Sequence, residues 1–160
     1  MSHVFQAAGV VLLAFGAGAA TVSVVNDDVP DMALPELTWT AGTALDGKTF
    51  YTDDTVIESG EQIQDIIHFR DGTFQSQMCQ VYCDFGWSDY QTWIEDDVIH
   101  FTTTTMCPDA PHTVVWYGTV EGDEITFEGS WTTRRWYWTR QINVTGFGNT
   151  TSHDERDVTG

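Results

Sequence analysis

Apolar and polar residues alternate along this chain from Gln62 to Thr145. A period of two is typical of β-strands that bury one face. Four candidate two-residue turns interrupt the alternation, and at each of them the two residues that would face each other across the hairpin are apolar. The turns and their facing pairs are Asp71-Gly72 with Phe69 and Phe74, Asp96-Asp97 with Ile94 and Ile99, Gly122-Asp123 with Val120 and Ile125, and Thr133-Arg134 with Trp131 and Trp136. The pattern predicts a series of antiparallel hairpins.

Extending the alternation outward from each facing pair gives one mostly apolar face and one face rich in Thr, Gln, Ser and Glu. In chain order the predicted inward residues are Ile63, Asp65, Ile67, Phe69, Phe74, Ser76, Met78, Tyr90, Thr92, Ile94, Ile99, Phe101, Thr103, Val114, Trp116, Gly118, Val120, Ile125, Phe127, Gly129, Trp131, Trp136, Trp138, Arg140, Ile142 and Val144. A sheet that is apolar on one side must bury that side, and a meander of this length can do so by closing on itself. The sequence therefore predicts an all-β fold, a single up-and-down antiparallel barrel of about eight strands.

The regions that flank the alternating part set the domain boundaries. Residues 1–25 lack Lys, Arg, Asp and Glu and pass from an apolar run into small residues, which indicates a cleaved signal peptide or, alternatively, an N-terminal membrane anchor. Residues 26–36 are acidic, contain two prolines and are predicted to be a linker. The β-barrel domain is predicted over residues 37–146, with one or two strands between Leu37 and Tyr51. Residues 147–160 are mostly polar and are predicted to form a disordered tail.

The charge balance narrows the classes of partner. The chain carries 24 Asp and Glu against 6 Lys and Arg, a formal net charge of −18. Phosphate recognition needs clustered basic residues, so this balance argues strongly against nucleic acid, and membrane contact is expected only through an uncleaved N-terminal segment. The paired acids Asp53-Asp54 and Asp96-Asp97 lack the alternating spacing of a calcium loop and are interpreted as solvated turns.

Connection lengths distinguish the two ends of the predicted barrel. Successive loops of a meander alternate between its two ends. The turns Asp71-Gly72, Asp96-Asp97 and Gly122-Asp123 are therefore predicted to share one end. The longer connections, residues 80–89 and 106–112, lie at the other end together with the Thr133-Arg134 turn. This second end is predicted to be the mouth, where barrels usually admit ligands.

Three cysteines in an exported chain most often form one disulfide and leave one free thiol. Cys83 and Cys107 lie in the predicted mouth loops and are predicted to form the disulfide, whereas Cys79 lies at a strand end. The alternative is a zinc site that uses Cys79, Cys83, Cys107 and His112, since Cys₃His is an accepted set of zinc ligands. Apart from this alternative, neither a metal nor a cofactor is predicted.

Two features bear on whether the predicted interior holds a ligand. Gly118 and Gly129 leave space beside large rings, so the barrel either is filled by its own indoles or keeps an aromatic-lined pocket. Arg140 is predicted to point inward, where its charge needs either Asp65 or the carboxylate of a ligand as a partner. The predicted ligand-binding residues are Tyr90, Phe101, Trp116, Phe127, Trp131, Arg134, Arg135, Trp136, Trp138 and Arg140.

The run FRDGTF at residues 69–74 and the pattern W-x-G-x-V-x-G-D-x-I from Trp116 to Ile125 carry a resemblance to known proteins. Over residues 45–146 the chain resembles small exported bacterial proteins with lipocalin-like (calycin-type) β-barrels. The resemblance implies a lipocalin-like barrel and carries no chemistry of its own.

These observations predict a periplasmic or secreted protein that binds a small apolar or amphipathic molecule, with or without a carboxylate, in an aromatic-lined barrel. No nucleophile, base and orienting residue can be assembled from the sequence, so an enzyme is not expected. Two other hypotheses stay open. One is a structural or interaction barrel with a solid core and no ligand, and the other is a metal-binding protein that uses the mouth cysteines.

Overall fold

The computed structural model describes residues 32–152 of the 160-residue chain. The predicted signal peptide or anchor, part of the predicted linker and the end of the predicted tail lie outside the described residues. The elements are β1 (Thr40–Ala41), β2 (Thr49–Val56), β3 (Gln62–Arg70), β4 (Thr73–Ser76), α1 (Gln77–Cys83), β5 (Ser88–Glu95), β6 (Val98–Met106), β7 (His112–Glu121), β8 (Glu124–Arg135) and β9 (Trp138–Asn149). Between residues 32 and 152 no helix has the length and apolar character needed to cross a bilayer.

Strands β2 to β9 form a closed antiparallel ring of eight strands. Each strand pairs with the next one along the chain, and β9 closes the ring by pairing with β2. The short β1 pairs with the part of β5 that extends beyond the short β4. The predicted all-β, barrel-like fold of eight meandering strands is therefore confirmed.

Three of the predicted turns have the register expected from their apolar pairs. Phe69 faces Phe74, Ile94 faces Ile99, and Val120 faces Ile125. Asp71 and Gly72 both have positive φ, 52° and 76°, as the right-handed twist of a two-residue hairpin requires. The spacing of apolar residues around a turn therefore predicted strand register wherever the turn itself was suitable.

The fourth predicted turn, Thr133-Arg134, is wrong. β8 and β9 continue past it, so that Trp131 faces Ile142 and the last pair is Arg135 with Trp138. Thr133-Arg134 contains no Gly, Asn or Asp, the residues that accept positive φ at low cost, and the backbone there stays extended.

Two further expectations about the chain path are corrected. Asp53-Asp54, predicted to be a solvated turn, lies within β2, which pairs with β3 on one side and β9 on the other. Asp54 therefore faces the interior and is buried. Residues 147–149, predicted to begin the tail, belong to β9 because β2 and β8 both supply strand partners for them.

Helix α1 replaces the predicted continuation of β4 to Met78, which is exposed. β4 ends at Ser76, whose side chain accepts a hydrogen bond from the backbone N–H of Cys79 (3.1 Å) and so caps the helix. The helix ends at Cys83 and is capped by Asp84, which is in the left-handed conformation and donates its N–H to the carbonyl of Gln80 (2.9 Å). The helix lies at the end of the barrel that was predicted to be the mouth.

Aromatic rings fill the interior. Phe69 is fully buried, and its ring centroid lies 5.0 to 5.4 Å from those of Tyr90, Phe101 and Phe74. Gly118 makes one of these positions possible, because a Cβ on it would lie 2.6 Å from the Phe101 ring. The rings therefore pack mainly against each other, at the separations that edge-to-face pairs prefer.

Candidate functional site at the hairpin end

Strands β8 and β9 extend beyond the ring as a two-stranded hairpin. β7 begins opposite Thr133 and β2 ends opposite Val144, whereas β8 and β9 stay paired to Arg135 and Trp138. We refer to residues 134–140 as the hairpin arm. In this arm the two strands have only each other as β-strand partners among the described residues.

The hairpin arm concentrates basic and aromatic residues. Three of the chain's six Lys and Arg residues lie in it, although the whole chain has a net charge of −18. They are Arg134, Arg135 and Arg140. At the tip, Trp136 is 94% exposed and Tyr137 is 50% exposed. Single exposed apolar residues are ordinary, but a group of rings and cations at one tip indicates a contact surface.

Alternation along the two strands divides the arm into two faces. Arg135, Trp138 and Arg140 share the face that continues the barrel interior, since Arg135 is opposite Trp138, and Arg140 is opposite Thr133. Arg134 lies on the other face. Two guanidinium groups therefore accompany one indole on the face above the end of the barrel.

Trp131 forms an aromatic floor below this face. Its ring centroid lies 5.0 Å from Tyr82, 5.1 Å from Phe85 and 5.5 Å from His112. Tyr82 is 69% exposed, so solvent and solutes reach the floor. We refer to Arg135, Trp138, Arg140, Trp131 and Tyr82 together as the hairpin site.

His112 is a neutral neighbour of the hairpin site. Its Nδ1 lies 2.8 Å from the hydroxyl of Thr133. Burial lowers the pKa of His112, and the positive charge of Arg135 lowers it further. Because the pKa of an ordinary histidine is already below neutral, the positive charge of the site at neutral pH comes from the arginines.

The disulfide between Cys83 and Cys107 holds the floor in place, and the predicted pairing is confirmed. It ties the end of α1 to the connection between β6 and β7, and Tyr82 and Phe85 lie close to it in the chain. A disulfide is consistent with an oxidising compartment. The zinc alternative loses Cys83 and Cys107 to this bond, and among the described residues no group of three or more His, Cys, Asp and Glu side chains could hold a metal ion.

Peptide mapping of the non-reduced protein is expected to recover Cys83 linked to Cys107 and a free thiol at Cys79. The two bonded residues have a Cα–Cα distance of 5.6 Å, which suits a disulfide, whereas Cys79 is only 6% exposed. A bridge that includes Cys79, or three free thiols in the mature protein, would contradict this assignment.

The structure separates the predicted ligand-binding residues into two groups. Tyr90, Phe101, Trp116 and Phe127 are buried in the core. Trp131, Arg134, Arg135, Trp136, Trp138 and Arg140 lie together at the hairpin end. The interior positions predicted for Trp136, Trp138 and Arg140 are wrong, since all three lie in the hairpin arm beyond the ring. Trp136 and Arg140 are exposed there, and Trp138 is half-buried.

The predicted pair of Arg140 with Asp65 does not form either. The carboxylate of Asp65 is buried and accepts hydrogen bonds from the hydroxyl of Ser76 and from the backbone N–H of Met78 (2.8 Å). The reason is the length of the hairpin, which places Arg140 opposite Thr133 beyond the interior.

Tyr82 and Phe85, which complete the floor, were not among the residues predicted from the sequence. They lie in the connection between β4 and β5, which was predicted only as a long loop. The available signal was a pair of aromatic residues close to Cys83 on either side of it, because a disulfide fixes its sequence neighbours against whatever it joins.

No family model, curated protein or solved structure matches the chain. The resemblance to lipocalin-like proteins accordingly stays a prediction.

Proposed function

We propose that the protein is an exported binding protein that holds an amphipathic molecule with a carboxylate head at the hairpin site and does not transform it. The observation that carries the proposal is the placement of Arg135 and Arg140 with Trp138 above the ring of Trp131. The disulfide supports a periplasmic or secreted location, because such bonds persist in oxidising compartments.

The two arginines provide recognition of the head group. Neither Arg135 nor Arg140 forms an ion pair with any residue between 32 and 152. A carboxylate between them would accept charge-assisted hydrogen bonds from planar guanidinium groups and would reduce their mutual repulsion. Because the rest of the chain is acidic, attraction of an anion depends on these short-range contacts.

The rings and helix α1 provide an apolar surface for the remainder of the molecule. Trp138 is half-buried, Tyr82 is 69% exposed, and Val81 on the same helix is 74% exposed. Burying apolar area here contributes about 25 cal/mol for each Å² removed from water. The ligand class that fits both parts is a fatty or aromatic carboxylate.

Laurate is a suitable probe of this proposal. Wild-type protein is expected to bind laurate more tightly than its methyl ester, because only the acid offers a charged head. Arg140→Met should weaken laurate binding by about tenfold, since it removes one charge-assisted contact and keeps much of the side-chain volume. Isothermal titration calorimetry measures both affinities. The free energy of unfolding of Arg140→Met should differ from that of wild-type protein by less than about 0.5 kcal/mol, because Arg140 is exposed.

Arg70→Met is the matched control. It removes an exposed arginine next to the Asp71-Gly72 turn, at the opposite end of the barrel. Laurate affinity should be unchanged in this variant. An equal loss in both variants would indicate a general effect of net charge and would contradict a site at the hairpin, as would equal affinities for laurate and its ester.

A second candidate function is an interaction module that presents the same end of a solid barrel to a protein partner. The observation in its favour is that further apolar side chains at this end, Ile57 and Met106, are 56% and 64% exposed. This candidate predicts that wild-type protein has no affinity for laurate, which separates it from the first.

A further inference from the structure

Two acidic side chains lie together inside the barrel, apart from the hairpin site. Asp54 on β2 is 4% exposed and Asp65 on β3 is 3% exposed. Asp54 is opposite Ile63 and Asp65 is opposite Thr52, so the two carboxyl groups are diagonal neighbours on one face of the sheet. Two buried acids this close in register cannot both be charged without a large cost in free energy.

The two carboxyl groups differ in their hydrogen bonds. Asp65 accepts three, from the hydroxyl of Ser76 (2.5 Å) and from the backbone N–H groups of Met78 (2.8 Å) and Ile66 (2.7 Å). Within residues 32–152, Oδ1 of Asp54 has no hydrogen-bond partner. Several donors stabilise a carboxylate, whereas burial with few donors favours the neutral acid. Asp65 is therefore the anion of the pair and Asp54 is the protonated acid.

The surroundings of the two acids supply little compensating positive charge. A Cβ on Gly146, which is opposite Asp54 on β9, would lie 2.5 Å from Oδ1 of Asp54, so the acid occupies the space that the glycine leaves. The other titratable groups that interact with the pair are Asp53 on β2, His68 on β3 and Cys79 on α1. Of these, only His68 can carry a positive charge.

Burial is the main cause that raises the pKa of Asp54 from 3.8 to about 7. The hydroxyl of Thr52 lowers this pKa, whereas the negative charges of Asp65 and Asp53 raise it further. Burial also raises the pKa of Asp65, and its three hydrogen bonds oppose that rise. The closed fold thus holds a proton on Asp54 that a water-exposed Asp54 would release. The stabilisation of the fold by this bound proton is complete below about pH 4 and is progressively lost as the pH rises to about 7.

Asp65 is also the anchor of helix α1. Its carboxylate binds Ser76, the N-cap residue, and Met78 in the first turn. The other end of the helix is fixed by the disulfide at Cys83. At Asp54 the strand β2 is paired with β3 and β9, whereas at Asp65 the strand β3 is paired with β2 only, because β4 ends at Ser76 and α1 follows. The first turn of α1 is therefore the part of this region that can move at the lowest cost.

We propose that Asp54 and Asp65 form a latch for helix α1. While Asp54 holds the one proton of the pair, the first turn of the helix stays seated; when that proton is lost, the first turn detaches and the helix remains held at its other end by the Cys83–Cys107 disulfide. Two negative charges inside the barrel need water, and detachment of the first turn lets water reach both carboxylates. The covalent link at Cys83 keeps the movement local. The latch is independent of whether the hairpin site binds a carboxylate.

The reactivity of Cys79 tests the latch, because Cys79 is the free thiol of the chain and is buried in the first turn of α1. Burial raises the pKa of this thiol to about 12, so it does not react while the helix is seated. The rate of reaction with a dipyridyl disulfide, which works at acidic pH, is divided by the rate for urea-unfolded protein at the same pH. This ratio removes the intrinsic effect of pH on the thiol.

In wild-type protein the ratio is expected to rise by up to about tenfold per pH unit between about pH 5 and about pH 7, and then to level off. Asp54→Asn has nearly the same shape and cannot ionise, so its ratio should stay constant over the same range. A constant ratio in wild-type protein, or the same rise in Asp54→Asn, would overturn the latch.

Amide hydrogen exchange in wild-type protein tests the latch without any variant. After correction for the intrinsic exchange rate, the N–H groups of Met78 and Cys79 should lose protection over the same pH range. The amides of the ladder between β7 and β8 should keep theirs. Equal loss of protection in both regions would mean that the whole barrel opens, and the latch would be wrong.

Discussion

Replacing Phe69 by alanine is expected to lower the free energy of unfolding by about 3–5 kcal/mol. Phe69 is 1% exposed and its ring contacts those of Phe50, Phe74, Tyr90 and Phe101. Strand ladders hold the surrounding backbone, so the barrel cannot collapse into the space of the missing ring. Urea unfolding, with the slope of the transition checked for constancy, measures the change.

Phe147→Ala is the matched control, because Phe147 lies on β9 and is 61% exposed. Its loss should change the free energy of unfolding by no more than about 0.5 kcal/mol. A loss below about 1 kcal/mol for Phe69→Ala would mean that the interior is loosely filled, since tight packing around a removed ring always leaves a cavity term.

Asp65→Ala is expected to cost about 3 kcal/mol of stability and to leave the first turn of α1 unattached. The substitution removes the acceptor of three hydrogen bonds, so the hydroxyl of Ser76 and the N–H of Met78 lose their partner in a buried region. Removal of a buried charge offsets part of this loss. Urea unfolding gives the change in free energy, and Cys79 should react rapidly at every pH.

Asp53→Ala is the control for this effect. Asp53 precedes Asp54 on β2 and faces the opposite side of the sheet, away from α1. It should leave Cys79 protected and should cost less than about 1 kcal/mol. If Asp65→Ala is as stable as wild-type protein and Cys79 stays protected, the anchor of α1 lies elsewhere.

The fold could be predicted from the sequence where turn chemistry and alternation agreed. Asp71-Gly72 and Gly122-Asp123 provide residues that accept positive φ, and apolar residues flank both of them, so local information determined strand register. At Thr133-Arg134 the apolar spacing was present without the turn chemistry, and there the prediction failed. Turn chemistry was therefore the more reliable of the two signals.

What could not be predicted depends on contacts between distant parts of the chain. Asp54 alternates in step with the inward residues of β2. Two adjacent acids are nevertheless typical of a turn, and only the pairing of β2 with β9 shows that they lie in a strand. For the candidate site, the sequence placed Trp138 and Arg140 on one face, but inside the barrel, and it placed Arg135 beside the Thr133-Arg134 turn at the mouth. The common face of the three residues could not be predicted, because the length of the hairpin depends on where β2 and β7 end.

A carboxylate-bearing molecule is proposed to bind at the hairpin site and not among the rings of the core. The most direct test is a nuclear magnetic resonance titration with laurate that follows the indole N–H signals of the tryptophans. The chain has seven tryptophans, of which Trp116 is 4% exposed and donates its indole N–H to the hydroxyl of Thr105 (3.1 Å). We predict that the signals of Trp138 and Trp131 shift to saturation while that of Trp116 does not move. A saturating shift of Trp116 with Trp138 and Trp131 unchanged would place the ligand in the interior and would contradict binding at the hairpin site.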